Sequence, residues 1–374
     1  MNVDFTQIPS PCYVLDQELL IRNLKLISDV QEKSGASIIL ALKGFSMYSQ
    51  FPLVKEYLSG ATASSLHEAR LIVEEMKCKA HTYSPVYKPE EYDEIQSYSS
   101  HLTFNSISQY EQFKGKMKPN ISYGIRINPQ YAEVETDMYN PCIAGSRLGV
   151  TRDQLPHLPE GIEGLHFHTL CENDSHVLER TLKHVEEKFG DLLHQVKWLN
   201  MGGGHLMTKK GYDTNHVVEL IKKLKSKYQL EIIMEPGSAI AWQTGYLKST
   251  VLDIVDAQGI DVAILDISFA AHMPDTLEMP YKPFILGSHH EPVAGKPTYR
   301  MGGMTCLAGD FMGDYSFDEP LKIGDTLVFD DMIHYTMVKT TTFNGVGLPS
   351  IGVWRNNAFE LQKSFGFESF KDRI

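Results

Sequence analysis

The chain has 374 residues, 42% of them apolar, and a formal charge of −12: enough to bury a large core, and too acidic overall for a nucleic-acid or anionic-membrane surface. Its five cysteines (Cys12, Cys78, Cys142, Cys171, Cys306) form an odd set with no Cys-x-x-Cys pair, and the opening MNVDFTQIPS lacks the basic and apolar regions of a secretion signal. No apolar run approaches bilayer length, so a cytoplasmic enzyme or binding protein with free thiols is expected, its acidity suiting a cationic ligand as well as simple solubility.

In chain order, Pro9 and Pro11 break any helix in IPSPCYVLD, which is expected to add an edge strand to a later β domain. Apolar recurrence then predicts a helix over 17–32, with Asp16 able to cap it. Short apolar or β-branched runs follow at 38–42, 61–64, 81–84, 102–105 and 122–128, then at 164–169, 198–201 and 231–234. Between them lie amphipathic stretches such as 65–76, where Ser65 offers a cap, 177–189 and 215–227. Strand then helix, repeated eight times, predicts an α/β chain with a parallel (β/α)8 TIM-like barrel over 14–240. After 241 the texture changes to strand-like runs at 246–255, 262–267, 299–301, 326–329 and 334–340 with Gly-rich turns. This predicts a second domain of β-sandwich or barrel type, built from 1–13 with 241–374.

A parallel barrel gathers its chemistry at the carboxyl ends of its strands. Those ends carry Lys43, Ser64, Ser65, Ser84, Asn105, Arg126, Asn128, His168, Gly202 to Gly204 and Glu235. Lys43 follows an apolar run in LALKGF, where packing would desolvate its ammonium and make it nucleophilic; a lysine stem lying on the surface with its head in water is the other reading. Gly202, Gly203 and Gly204 suit either a tight turn or a set of N–H groups aimed at an anion. In MEPGSAI, Glu235 needs a partner if buried, either a protonated ring nitrogen or Arg126. His166 and His168 form an HxH pair that can mark a metal, yet the surrounding spacing matches no strong zinc signature, and no metal is expected. In the second domain HMPDTLEMPY, GGMTCLAGD and DMIHYTMVKTTTFNG mix acid, thiol and aromatic groups with Gly or Pro, as binding loops do.

In this order, IPSPCYVLD, LALKGF, TASSLHEAR, HTYSP, NPCIAGSRLGV, GLHFHTLCE, MGGGH, HMPDTLEMPY, CLAGDFMGDYSFDEPL and HYTMVKTTTFNG resemble the alanine-racemase and ornithine/diaminopimelate decarboxylase superfamily. Within it they resemble the branch that acts on carboxylated polyamine precursors. The resemblance implies an alanine-racemase-like barrel plus C-terminal β domain, and pyridoxal 5'-phosphate as cofactor. It makes Lys43 the lysine joined to the cofactor, His168 the imidazole on its ring, Gly203 and Gly204 its phosphate turn, Glu235 the partner of its ring nitrogen, and Tyr335 a further phosphate contact. It also places Cys306 near the reacting carbon, and Glu235, Asp275 and Asp310 at a small-molecule substrate rather than a nucleic acid or membrane. A homodimer with shared active sites is implied, Cys306 serving the partner.

Two departures stand out: Ser238 replaces the arginine that follows Glu-Pro-Gly in basic amino-acid decarboxylases, and Gly44 replaces an expected alanine, a change expected to matter little. A diaminopimelate decarboxylase, the nearest rival, needs a cation for a second carboxylate, which the acidic HMPD and LAGD segments do not offer. Non-catalytic carriers of the cofactor lack the long β domain, and a metal-dependent barrel hydrolase would rest on His166 and His168 alone.

Overall fold

The computed structural model describes residues 3–134 and 136–374. Strand β1 (Cys12–Asp16) leads directly into a helix at Gln17–Ser34, where Asp16 Oδ1 accepts from the N–H groups of Glu18 and Leu19 at 3.0 and 3.4 Å. Eight strands then form a closed parallel barrel: β2 (Ser37–Ala41), β3 (Gly60–Ala63), β4 (Ala80–Tyr83), β5 (Ser99–Phe104), β6 (Ser122–Arg126), β7 (Ile162–His166), β8 (Trp198–Asn200) and β9 (Glu231–Met234), which returns to β2. Each expected barrel strand has its counterpart here.

The intervening helices start where side chains can satisfy their first N–H groups. Ser65 Oγ accepts from Glu68 N–H at 3.2 Å ahead of Leu66–Leu71, and Asp174 and Asp213 cap Ser175–Leu193 and Thr214–Tyr228. Trp198 fills the barrel interior: a Cβ on Gly164 would lie 2.0 Å from its ring and one on Gly124 2.2 Å away, so both positions must be glycine for the indole to fit. Its Nε1–H donates to Ser122 Oγ at 2.8 Å, which satisfies the one polar atom of an otherwise apolar filler.

The chain divides into two compact units, Asn23–Ile240 and, apart from it, the described residues of Met1–Arg22 with Ala241–Ile374. The second unit is a mixed sheet of β1, β10 (Gly245–Asp256), β11 (Asp261–Leu265), β12 (Thr298–Gly302), β13 (Phe311–Ser316), β14 (Thr326–Asp330), β15 (Ser350–Arg355) and β16 (Ala358–Lys363). Its order is β13-β12-β11-β10-β1-β15-β16, with β14 also on β10.

Strand β1 therefore lies inside this sheet and not at its edge: it pairs antiparallel with β10 and parallel with β15. All five of its residues are buried, which is the pattern of an interior strand covered on both faces. The expected strand over 334–340 is instead a helical turn, Tyr335–Val338. There Lys339 N–H bonds Tyr335 O at 2.9 Å, and Thr336 Oγ1 donates to Asp275 Oδ2 at 2.8 Å. The β-branched residues that favour a strand serve side-chain bonding at this point. No helix among the described residues is long and apolar enough to cross a membrane.

Candidate active site

At the carboxyl ends of the barrel strands lies a cavity of about 200 Å³, with Lys43, Tyr83, Arg126, Arg147, His168 and Glu235 in its lining. Lys43 is exposed to the cavity, with the strand ends of the barrel around it. That enclosure holds its pKa below the ordinary lysine range; Glu235 opposes the shift and Arg126 reinforces it.

Glu235 is buried, and burial pushes its pKa up. Asn200 Nδ2 counters this by donating to Glu235 Oε1 at 2.7 Å, and Lys43 and the Thr62 hydroxyl also favour the carboxylate. Arg126 is not its direct partner: the guanidinium donates from Nη2 to His168 O at 3.0 Å and sits 4.8 Å from the centre of the Tyr83 ring. Tyr83 in turn donates to Asn105 Oδ1 at 2.8 Å.

His168 is half-buried, and desolvation together with Lys43 and Arg126 drives its pKa well below the usual value, so its ring is neutral. Gly203 N–H donates to its Nδ1 at 3.2 Å, which assigns the ring proton to Nε2. Gly202 N–H is likewise engaged, by Asn200 Oδ1 at 2.9 Å. Two of the three glycine amides thus orient neighbouring side chains, where an anion cradle would need them free. The glycines are nonetheless obligatory: a Cβ on Gly203 would lie 2.5 Å from Glu235 O, and Gly204, at φ +85°, would place one 2.0 Å from Leu170 O.

Of the other strand-end candidates, Ser64 lines the cavity. Ser65 caps a helix, Ser84 Oγ bonds Val86 O at 2.8 Å, and Asn128 braces its own loop through Gln130 N–H at 2.8 Å. Asn105 holds the far wall, donating to Arg147 O at 2.8 Å and accepting from Gly149 N–H at 2.9 Å.

Gly44 matters more than expected: its Cβ would fall 2.6 Å from Gly237 Cα, so the turns after Lys43 and after Glu235 meet glycine to glycine. Thr62 and Arg147 escape a reading by strand ends alone, while Tyr83 and Asn200 close β4 and β8 yet each lies one residue ahead of the end read from the sequence. Tyr83 is one residue ahead of the candidate Ser84, and Arg147 sits in a long loop without periodicity.

One donor atom each of His166, His168 and Glu235 lies within 4.8 Å of the others, a spacing a metal ion could use. Burial holds both histidines well below the ordinary imidazole range, and Lys43 and Arg126 beside them add to the shift. His166 is buried, with neither ring nitrogen hydrogen-bonded among the described residues and Glu235 Oε2 3.7 Å from Nε2.

The remaining candidates belong to the sheet unit. Asp275 is buried, with Oδ2 accepting from Tyr281 at 2.7 Å and Thr336 at 2.8 Å and Oδ1 without a partner among the described residues. Asp310 is buried and more fully bonded: Oδ1 accepts from Ala270 N–H at 3.0 Å, and Oδ2 from Thr305 N–H at 3.1 Å and its hydroxyl at 2.5 Å. Cys306 is exposed, its N–H held by Asn344 Oδ1 at 2.9 Å. Tyr335 is half-buried and opens the helical turn described above.

Comparison with known proteins adds full-length likeness to this geometry. The family described as pyridoxal-dependent decarboxylase, C-terminal sheet domain, matches residues 12–333. The carboxyaminopropylagmatine decarboxylase of Synechocystis sp. is 49% identical, over 100% of this chain and 97% of its own. The carboxynorspermidine/carboxyspermidine decarboxylase of Campylobacter jejuni is 43% identical over 99% of each. A crystal structure of carboxynorspermidine decarboxylase from Campylobacter jejuni complexed with norspermidine superposes with a TM-score of 0.92 at 42% identity, over 98% of this chain and 100% of that one. Since the family match runs from β1 through the barrel and into the sheet unit, the chain belongs to the pyridoxal-dependent decarboxylases, and pyridoxal 5'-phosphate is its cofactor.

Proposed function

We propose that this chain decarboxylates carboxynorspermidine, and carboxyspermidine, to norspermidine and spermidine in polyamine biosynthesis, as a cytoplasmic homodimer with shared active sites. The observation that carries the chemistry is a buried carboxylate, Glu235, pinned by Asn200 in the same cavity as the accessible, pKa-lowered Lys43.

Pyridoxal phosphate carries an aldehyde, a basic ring nitrogen, an aromatic face and a phosphate, and this cavity offers a group suited to each. Lys43 would hold the aldehyde carbon, and Glu235 would keep a proton on the ring nitrogen. The neutral ring of His168 offers a flat partner for the aromatic face. Arg126 and Arg147 bring positive charge to the cavity, which the chain needs because Ser238 replaces the arginine that follows Glu-Pro-Gly in basic amino-acid decarboxylases; of the expected phosphate set Gly204 and Tyr335 remain, since Gly203 N–H is given to His168. When bound, the cofactor supplies an electron sink for the electrons left behind as carbon dioxide departs.

The other residues act on the substrate. Cys306, from Sγ, or a water delivers a proton to the reacting carbon. Asp275, with a buried carboxylate oxygen to spare, accepts an ammonium of the polyamine chain, and Asp310 provides a second negative charge. Sharing of sites across a dimer is supported by the exposed apolar residues Met304, Leu307, Phe311 and Phe343 of the sheet unit, three of them close in sequence to Cys306.

A second reading rests on the 49% identity to a carboxyaminopropylagmatine decarboxylase. Agmatine ends in a guanidinium where the norspermidine skeleton ends in an amine, so the two substrates differ at the end remote from the reaction. Parallel incubation of the cofactor-loaded enzyme with carboxynorspermidine, carboxyspermidine, carboxyaminopropylagmatine and diaminopimelate, read by mass spectrometry, tests both. Norspermidine or spermidine formed at the highest kcat/KM supports the proposal. Preferential release of aminopropylagmatine replaces it with the second reading, and lysine as sole product rejects both.

A further inference from the structure

Away from the cavity, three donor side chains meet on the outer surface of the barrel unit. His176 and Glu179 stand three residues apart on the helix Ser175–Leu193 and so share a face. His216 comes from the first turn of the helix Thr214–Tyr228. One ligating atom of each lies within 4.8 Å of the other two. His216 Nε2 is 3.6 Å from Glu179 Oε2, and the two imidazole centroids are 4.5 Å apart. Two ligands on one tetrahedral zinc ion, each about 2.0–2.1 Å from it, stand roughly 3.3 Å apart, so little movement would close the set on a metal.

His216 is already oriented for that role. Its Nδ1 lies 3.0 Å from the fully buried Ser175 Oγ, which leaves Nε2 on the side of Glu179. Anchoring of one ring nitrogen by a hydrogen bond while the other faces the ion is the usual support of a metal-ligating histidine. Helix starts oppose cations through their exposed N–H groups, but here both are neutralised by carboxylates. Asp174 Oδ1 accepts from His176 and Val177 N–H at 2.9 Å each, and Asp213 Oδ1 from His216 N–H at 2.9 Å. Lys183 Nζ lies 3.7 Å from Glu179 Oε1, while Oε2 faces His216 Nε2 at 3.6 Å.

We propose that His176, Glu179 and His216 form a divalent-cation site of the zinc type, with an open position toward solvent. Two imidazoles and one carboxylate favour zinc and its neighbours over calcium or magnesium, which require oxygen-rich sets. The ion ties together the helices that follow β7 and β8, whose preceding loops already bond through Asn173 N–H to Gly204 O at 3.0 Å. It therefore braces the frame that carries His168 and the glycine run.

The test is calorimetric titration of the chelator-treated, cofactor-loaded enzyme with zinc chloride, beside His176→Ala, Glu179→Gln, His216→Ala and Ser175→Ala. One zinc per chain is expected, with affinity at least tenfold lower in each ligand variant and about 10- to 100-fold lower in Ser175→Ala. Zinc should raise the melting temperature of the wild type and leave that of His216→Ala unmoved, while turnover without zinc stays equal in both. Absence of saturable binding in the wild type overturns the proposal. So does unchanged stoichiometry and affinity in His176→Ala and His216→Ala, which would move the ion to another place.

Discussion

The amide of Asn200 holds the carboxylate of Glu235 through Nδ2–H···Oε1 at 2.7 Å, with both side chains buried. Its Oδ1 accepts from Gly202 N–H at 2.9 Å, so one side chain joins the acid to the glycine run. Asn200→Ala leaves a buried carboxylate oxygen short of a donor, at a cost of about 1–3 kcal/mol. Urea denaturation should show that loss, and steady-state kinetics should show turnover reduced by up to about 100-fold as the carboxylate loses its position. Unchanged stability and turnover would remove Asn200 from the positioning role.

Lys43 reacts with a carbonyl only as the neutral amine. Because enclosure lowers its pKa, the rate at which apoenzyme captures pyridoxal phosphate should rise with pH and level off below about pH 10.4, the ordinary lysine value. Glu235 opposes that shift, so Glu235→Gln should carry the rise to still lower pH while slowing turnover and sparing attachment. Stopped-flow absorbance across a pH series measures both midpoints, and a shift to higher pH in the variant would contradict the electrostatic assignment.

Gly44→Ala should damage the site more than Gly237→Ala. The first places a Cβ 2.6 Å from backbone, the second one 3.1 Å away. Overpacking of this kind costs about 1–3 kcal/mol, and here it would separate the turns bearing Lys43 and Glu235. Thermal unfolding and cofactor retention on gel filtration should both rank the variants in that order.

Asp275→Asn keeps the shape and removes the charge. If Oδ1 receives a substrate ammonium, the lost charge-assisted bond is worth about 1.5–3 kcal/mol, or roughly a 10- to 150-fold fall in kcat/KM for polyamine precursors. Competition kinetics against a shorter amino acid that lacks the second amine should show the preference narrowing by the same factor. An unaltered preference would assign substrate reading to another group.

The barrel is legible in the sequence because each strand is a short apolar run closed by polar turn residues, as in LALKGF and TASS, and its strand ends direct attention to Lys43, His168 and Glu235. Period-two alternation is less forgiving: Ser84 and Tyr83 differ by one position, and it is Tyr83 that lines the cavity. Arg147 belongs to a loop whose course no local pattern dictates. Roles in the sheet unit come from family resemblance alone, since Asp275 acquires its spare oxygen from the packing of Tyr281 and Thr336. A signal was available for β15 and β16, because Asn356 and Asn357, at φ 51° and 59°, form the two-residue turn that asparagine favours in hairpins.

The interior position of β1 sets an order of events in the cell. Its partners β10 and β15 lie beyond the whole barrel in sequence, so during synthesis the apolar run Cys12–Leu15 emerges long before either strand exists to pair with it. The barrel can close from one continuous stretch, whereas the sheet must wait for Ser350–Arg355. Until then an apolar strand with two open edges is exposed to other nascent chains. Translation speed and chaperone supply should therefore govern the yield of the sheet unit far more than that of the barrel, and a circular permutant that places β1 just after β16 should relieve that dependence.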